Sequence, residues 1–494
     1  MGIITRQGFK LSIVTYIGIV LGYVNVVLLF PNILEPEQFG LTRILIAIGV
    51  IALQVGQLGT PQIIIKYFPY FQSEENKHSG ILFLMLLINF VGFIIICSFL
   101  FIFQSEIQSI YIERSKLFVE YYHLIYPIFG FLLLFRVFNS YAQVLYKAVI
   151  PMVLKTIVLR IFNTIILVIL YLKLISFEEY ILLFVYGYAI QILLVFIYLK
   201  GIKQLFLLPS SIMSSGKMRE MLKYGLYLCL SGVATILMNQ IDILMLGWLA
   251  GLDHIAVYSV AFLFGNIIQI PARSIYIVVL PMIATAWKEN DFEKIKDLYR
   301  TVSNNQLIIG FLLFIGIWSN LNNILAILPD SYADGKYVIF MIGFAQLFYM
   351  GTGISNGIIN TSKLFRYDLL INTILVVVAI TTNYLFIPEY GINGAAFATA
   401  LSICLFNTIR MVFVFIKFKI HPFTWNTFKL LMISIAVMLI GYYLPQMGNI
   451  WLDIVVRSIL ITAIFTFLIL HFRISDIVND NVHKYWKIAL EKMK

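Results

Sequence analysis

Fourteen apolar stretches, each roughly 18–28 residues long, occupy almost all of this 494-residue chain, and a bilayer core needs only about 20 such residues per helix. Backbone groups inside hydrocarbon find no water and must bond within their own segment. The expected fold is therefore an all-α polytopic membrane protein with about 14 transmembrane helices. Charged residues make up 12% of the chain, against about 25% in a soluble domain, and no long polar stretch leaves room for one. The three cysteines, Cys97, Cys229 and Cys404, lie inside spans without a C-x-x-C pair or a neighbouring histidine. Neither a disulfide framework nor a metal site is expected from them.

The spans fall at about 9–30, 40–60, 80–103, 118–145, 150–172, 180–199, 224–249, 255–279, 302–325, 337–360, 367–387, 392–416, 427–445 and 451–471. The first is too long for a signal-peptide core and reads as a retained helix. Short connections favour antiparallel neighbours. Counted by side, 26 of the 35 Lys and Arg fall on the face that holds the N-terminus and the loops after even-numbered spans. That count takes Lys147, Lys155 and Arg410 as loop residues on this face, and Arg457 as one of five on the other. The positive-inside rule then puts both termini in the cytoplasm, as an even number of spans requires. The net charge of +11 is mostly topological, and no nucleic-acid partner is expected.

Four arginines fall in neither loop class: Arg43, Arg136, Arg160 and Arg273. A charge at membrane depth costs several kcal/mol unless it faces a partner or a water-filled cavity. Arg136, Asn139 and Gln143 share one face of span 4, and Asn266, Gln269 and Arg273 share one face of span 8. Arg160 precedes Asn163 and Thr164 in span 5, and Arg43 has Gln54 three turns away in span 2. Span 7 carries Ser231, Thr235, Asn239 and Asp242 along one face. Such stripes should face a cavity or a close helix contact. Four arginines against one deep acid favour an anionic ligand, and the planar guanidinium suits a phosphate or pyrophosphate. The bland alternative is that these arginines pair with helix carbonyls or reach for the membrane surface. Asp242 reads two ways, as a carboxylate coupling transport to a cation or proton, or as a partner for an arginine such as Arg273.

The chain carries a weak internal repeat. LEPEQFGLTRI (Leu34–Ile44) follows span 1, and AGLDHIAVYSV (Ala250–Val260) follows span 7, offset by 216 residues. The expected organisation is an N-terminal lobe at 1–200, a cytoplasmic linker at 201–223, a C-terminal lobe at 224–420, two further spans within 421–471 and a cytoplasmic tail at 472–494. Repeated lobes with a site at the midplane are the usual basis of alternating access.

Four stretches carry a resemblance. LEPEQFG, LGTPQIIIKYFPYF (Leu58–Phe71), DILMLGWLAGLDHIAVYSVA (Asp242–Ala261) and YGINGAAFATALS (Tyr390–Ser402) are similar, in this order, to segments of polysaccharide flippases. The chain resembles the O-antigen type branch of the multidrug/oligosaccharidyl-lipid/polysaccharide (MOP) exporter superfamily. The resemblance implies a flippase of the bacterial inner membrane for cell-surface polysaccharide biosynthesis, moving an oligosaccharide on undecaprenyl pyrophosphate from the cytoplasmic to the periplasmic leaflet. It implies that Arg43 and Arg273 match head-group arginines of relatives by span. Arg136 and Arg160 join them as head-group candidates from the residues themselves, with Asn139, Gln143, Asn239, Asn266 and Gln269 lining the cavity. Membrane lipids, a polysaccharide polymerase and glycosyltransferases are the partners expected, with no cofactor and coupling to Na⁺, H⁺ or membrane potential. The rival readings are a MATE-like cation-coupled drug exporter, which should carry deep acids rather than deep arginines, and a membrane polysaccharide polymerase or ligase, which should carry a long catalytic outer loop. The loop WKENDFEKIKDLYR (Trp287–Arg300) and the tail from Asn479 are amphipathic and read as lying on the inner surface.

Overall fold

The computed structural model describes residues 2–480 apart from 74, 210–216, 365 and 477, and only the backbone of 2–9, 231, 369 and 370. The described residues are helical, with no strand among them. Twelve helices are long and apolar enough to cross a membrane, or thirteen if the bent pair Asp330–Thr352 and Ser355–Thr361 counts as one span. One of the twelve, Arg366–Phe418, has 53 residues, about 80 Å if straight, more than twice a bilayer core. It breaks at Gly391, whose φ of 54° and ψ of −127° suit glycine alone. Beyond the break a side chain at Gly394 would meet the Phe386 carbonyl oxygen at 2.1 Å, so the two arms form a close hairpin. Read as two spans, this element brings the count to the expected fourteen. The chain is a multi-pass membrane protein. The amphipathic tail lies mostly outside the described residues.

The chain divides into two compact units, Met1–Ala256 and Val257–Lys494. In the first, span 2 (Pro36–Gly56) starts with proline inside a capping box between Glu35 and Gln38. Span 6 (Phe177–Gly201) starts with the same device between Ser176 and Glu179. The segment Thr60–Phe71 lies between spans 2 and 3 and sinks Ile63, Ile64, Tyr67 and Phe68 into a core with Ile81, Met85, Phe138 and Tyr141. Gly59 opens it with φ at 76°, and a Cβ there would fall 2.0 Å from the Gly225 carbonyl oxygen.

Span 7 (Met218–Leu249) is packed within this first unit along its length. Near its start the Tyr67 hydroxyl donates to Glu220 at 2.9 Å and Lys66 lies 3.8 Å over the Tyr224 ring. Burial first, then the Glu220 carboxylate, push the Tyr67 hydroxyl above its usual pKa. Farther along, Gln54 donates to the Cys229 carbonyl at 3.1 Å. At the far end Ser115 donates to the Gly247 carbonyl at 2.7 Å and Tyr111 to that of Leu244 at 3.2 Å.

In the second unit, span 9 (Phe292–Ser319) begins under an Asp291 cap on Lys294 at 2.9 Å. Leu307, Ile308 and Ile315 of this helix pack with Leu430 and Val437 of span 13 (Trp425–Tyr443), and with Ile461 and Phe465 of span 14 (Ile450–His471). The Trp287–Arg300 loop is a helix end, a left-handed turn at Asn290 and the start of span 9.

Candidate functional site

The first unit gathers cations deep in its helices. Span 5 (Val149–Tyr171) contains a π-helical stretch, Leu154–Val158, and Lys155 belongs to it. The sequence reading placed Lys155 in a loop; it stands inside a span because the connection from span 4 is only a few residues long. Lys155 is exposed and lies within electrostatic reach of both Arg136, on span 4 (Tyr122–Val144), and Arg160. Arg160 rests against span 1 (Lys10–Ile33), where a Cβ on Gly22 would fall 2.6 Å from the guanidinium carbon. Its Nη1 is buried with no hydrogen-bond partner.

The neutral neighbours of Arg160 have other work. Asn25 donates to the Arg160 carbonyl at 2.9 Å, and the Thr164 hydroxyl lies 2.9 Å from that carbonyl and 2.7 Å from Asn25 Oδ1. Asn163 is buried with its Oδ1 unpartnered. Arg43 lies half-buried on span 2, in electrostatic reach of Tyr188, and its Nε is buried without a partner. No salt bridge reaches Arg43, Arg136, Lys155 or Arg160 among the described residues.

The expected stripe on span 4 is graded. Arg136 and Asn139 are half-buried, whereas Gln143 is exposed and lines a hollow of about 320 Å³ with Ile65, Phe68 and Gln72. On span 7, Asn239 is exposed and bonded to its own helix at the Thr235 carbonyl, 2.7 Å away, while Asp242 is buried. The Ser231 side chain lies outside the described residues.

The second unit treats its cations differently. Arg273 is exposed and donates to Gln269 at 3.3 Å, and Asn266 accepts from Gln346 at 3.1 Å. Arg410 stands well inside a helix and is buried. Its Nε donates to Asp368 Oδ1 at 3.0 Å, Nη2 reaches the same oxygen, and Asn372 donates to the other carboxylate oxygen at 3.0 Å. Arg457 is also buried, on span 14, paired with Asp453 at 3.2 Å and donating to the Gly441 and Pro445 carbonyls at 2.9 and 3.1 Å. Asn323 donates to the same Asp453 carboxylate. Both arginines had been counted as loop charges.

The profile of the polysaccharide biosynthesis protein family matches residues 4–287, more than half of the chain. The chain belongs to that family. The four resembling stretches point toward the same polysaccharide family. The MatE profile also matches residues 228–385. A probable low-salt glycan biosynthesis flippase, Agl15 of Haloferax volcanii, is 23% identical over 225 residues, covering 44% of this chain and 47% of the relative. An uncharacterized membrane protein of Methanocaldococcus jannaschii is 24% identical over 234 residues, covering 44% and 42%. The chain thus spans less than half the length of the curated relatives it matches. In fold it is similar to the lipid II flippase MurJ in an inward closed conformation, with a TM-score of 0.72 at 17% identity over 94% of this chain and 99% of that one. It is also similar to a multidrug resistance MATE transporter in an inward-facing conformation, at 0.65 and 15% over 83% and 97%.

For this family member, sequence reasoning missed Lys155. The available signal was its position six residues inside span 5. It also missed the acids that hold Arg410 and Arg457. Asp453 stands four residues before Arg457, a helix-face spacing legible in the sequence, whereas Asp368 and Arg410 are 42 residues apart.

Proposed function

We propose that the chain is a transporter that moves a lipid-linked oligosaccharide with an anionic head, a polyprenyl pyrophosphate such as undecaprenyl pyrophosphate, from the cytoplasmic to the outer leaflet. The observation that carries this reading is positive charge within the helices of the first unit with no acid paired to it among the described residues. Such charge is costly to keep empty and suits a phosphate-bearing guest. Arg43, Arg136 and Arg160 would meet the head group in the first unit, and Arg273 is a head-group candidate of the second unit by itself. Asn139, Gln143, Asn239, Asn266 and Gln269 would meet sugar hydroxyls. Alternating access is the mechanism proposed, with both termini on the cytoplasmic face of a bacterial inner membrane. A polymerase and glycosyltransferases act before and after it in polysaccharide assembly, O-antigen among the candidates.

The MatE match favours a second reading, a cation-coupled drug exporter. Cation coupling needs a deep carboxylate, and Asp368 and Asp453 are held by arginines. Asp242 remains the coupling carboxylate proposed for H⁺ or Na⁺, with membrane potential as the other driving force.

The test is a deletion strain assayed for the leaflet in which lipid-linked oligosaccharide accumulates. Build-up on the cytoplasmic face, relieved by wild type but reduced about 10-fold or more in rate by Arg43→Gln, supports the reading. Normal glycan export in the deletion strain, with increased drug sensitivity, supports the exporter instead.

A further inference from the structure

Two π-helical stretches lie in the first unit, Val24–Leu29 in span 1 and Leu154–Val158 in span 5. Such turns are rare and concentrate at functional sites. On a regular helix, residues five apart stand about 140° apart around the axis, so Lys155 and Arg160 would diverge. A π turn bonds i to i+5 and takes in an extra residue, and because the stretch Leu154–Val158 covers most of the path from Lys155 to Arg160 it narrows the angle between them. The first stretch supports the second, because Asn25 within it holds the Arg160 carbonyl at 2.9 Å and shares the Thr164 proton. The Arg160 backbone is thus satisfied by neutral groups, and its guanidinium is left for something else. Glycine at position 22 lets that guanidinium lie flat on span 1. Arg136 approaches from span 4, within reach of Lys155. Three like charges repel, and this arrangement persists without a carboxylate among the described residues to neutralise it.

We propose that Arg136, Lys155 and Arg160 form a single anion site inside the first unit, built on the π turn of span 5, and that the site takes a diphosphate. Three cations match a diphosphate of two to three charges better than a phosphodiester of one. The two guanidinium forks give bidentate contacts, and the lysine adds a point charge between them. The proposal rests on the reading that an anionic head group enters the membrane, and it adds Lys155 and the span 1–span 5 junction to that reading. A diphosphate could come from a lipid carrier, and an ordinary phospholipid head could offer a single phosphate to the same cations.

The experiment is calorimetric titration of the purified full-length protein in neutral detergent with inorganic pyrophosphate, then competition by a short-chain polyprenyl diphosphate or by phosphatidylglycerol. Wild type should bind pyrophosphate, and the polyprenyl diphosphate should displace it where phosphatidylglycerol does not. Loss of a hydrogen bond to a charged group predicts about 10-fold or more weaker binding for Arg160→Gln and for Lys155→Gln, with Lys155→Arg close to wild type. Lys155 is exposed, so its variants should fold even where Arg160→Gln does not, and they decide the matter. No binding by wild type, equal binding by Lys155→Gln, or equal displacement by phosphatidylglycerol would overturn the proposal. Binding in detergent requires no translocation, so its failure leaves the leaflet assay standing, and the reverse also holds.

Discussion

The two units carry arginines within their helices on unlike terms. In the second, Arg410 and Arg457 are each paired with an acid, Asp368 and Asp453, and Asn372, Asn323 and backbone carbonyls add hydrogen bonds, while Arg457 Nε is buried without a partner. In the first, Arg43, Arg136, Lys155 and Arg160 share helices with Asn, Thr and Tyr but no paired acid among the described residues. A closed ion pair fastens helices and has no valence left for a ligand. An open cation costs stability and keeps its valence for a guest. On the function proposed here, the difference separates scaffold charge from working charge, which composition alone lumps together.

Removing one partner of a closed pair should break that contrast most severely. Arg410→Met leaves the Asp368 carboxylate buried without its cation, and should cost about 3–5 kcal/mol in unfolding measurements on the purified protein. A loss below about 1 kcal/mol would mean the pair is no scaffold element. Removing both charges sharpens the point: Asp368→Leu with Arg410→Met should recover most of that loss, ending within about 1–2 kcal/mol of wild type, because neither charge is then buried unpaired. A double variant as unstable as the single one would shift the explanation to packing of Arg410 over Phe406, 3.8 Å away.

The first unit should respond in the opposite sense. Arg160→Met should leave thermal stability within about 1 kcal/mol of wild type, or raise it, while pyrophosphate affinity falls. A destabilisation as large as that of Arg410→Met would make Arg160 a scaffold residue as well. The smallest effect is expected from Gly22→Ala. The added methyl meets the mobile end of Arg160 rather than backbone, so stability should move by only about 0.5–1 kcal/mol. Pyrophosphate affinity should still fall severalfold, because the guanidinium is displaced. Unchanged affinity in Gly22→Ala would show that the guanidinium does not need its seat on span 1.

Membrane span count was legible because hydrocarbon thickness imposes a length and an apolarity on every segment. Even the merged 53-residue helix resolves into two spans at Gly391, where no other residue type takes the backbone conformation easily. Charge assignment failed at span ends. Lys155, Arg410 and Arg457 stand close enough to predicted boundaries to be taken for loop residues, and a shift of a few residues decides whether a cation is hydrated or buried.

By itself, then, the sequence determined that this protein is a many-spanned helical protein of the polysaccharide biosynthesis family. It did so because burial in lipid acts on segment length and composition, which are local properties. Only the tertiary structure decided which cations are neutralised and which are open. Pairing depends on residues 42 positions apart meeting across the two arms of a hairpin, and the register between Lys155 and Arg160 depends on the π turn in span 5. Neither distance nor rotation is written in any local run of residues; both arise when helices pack.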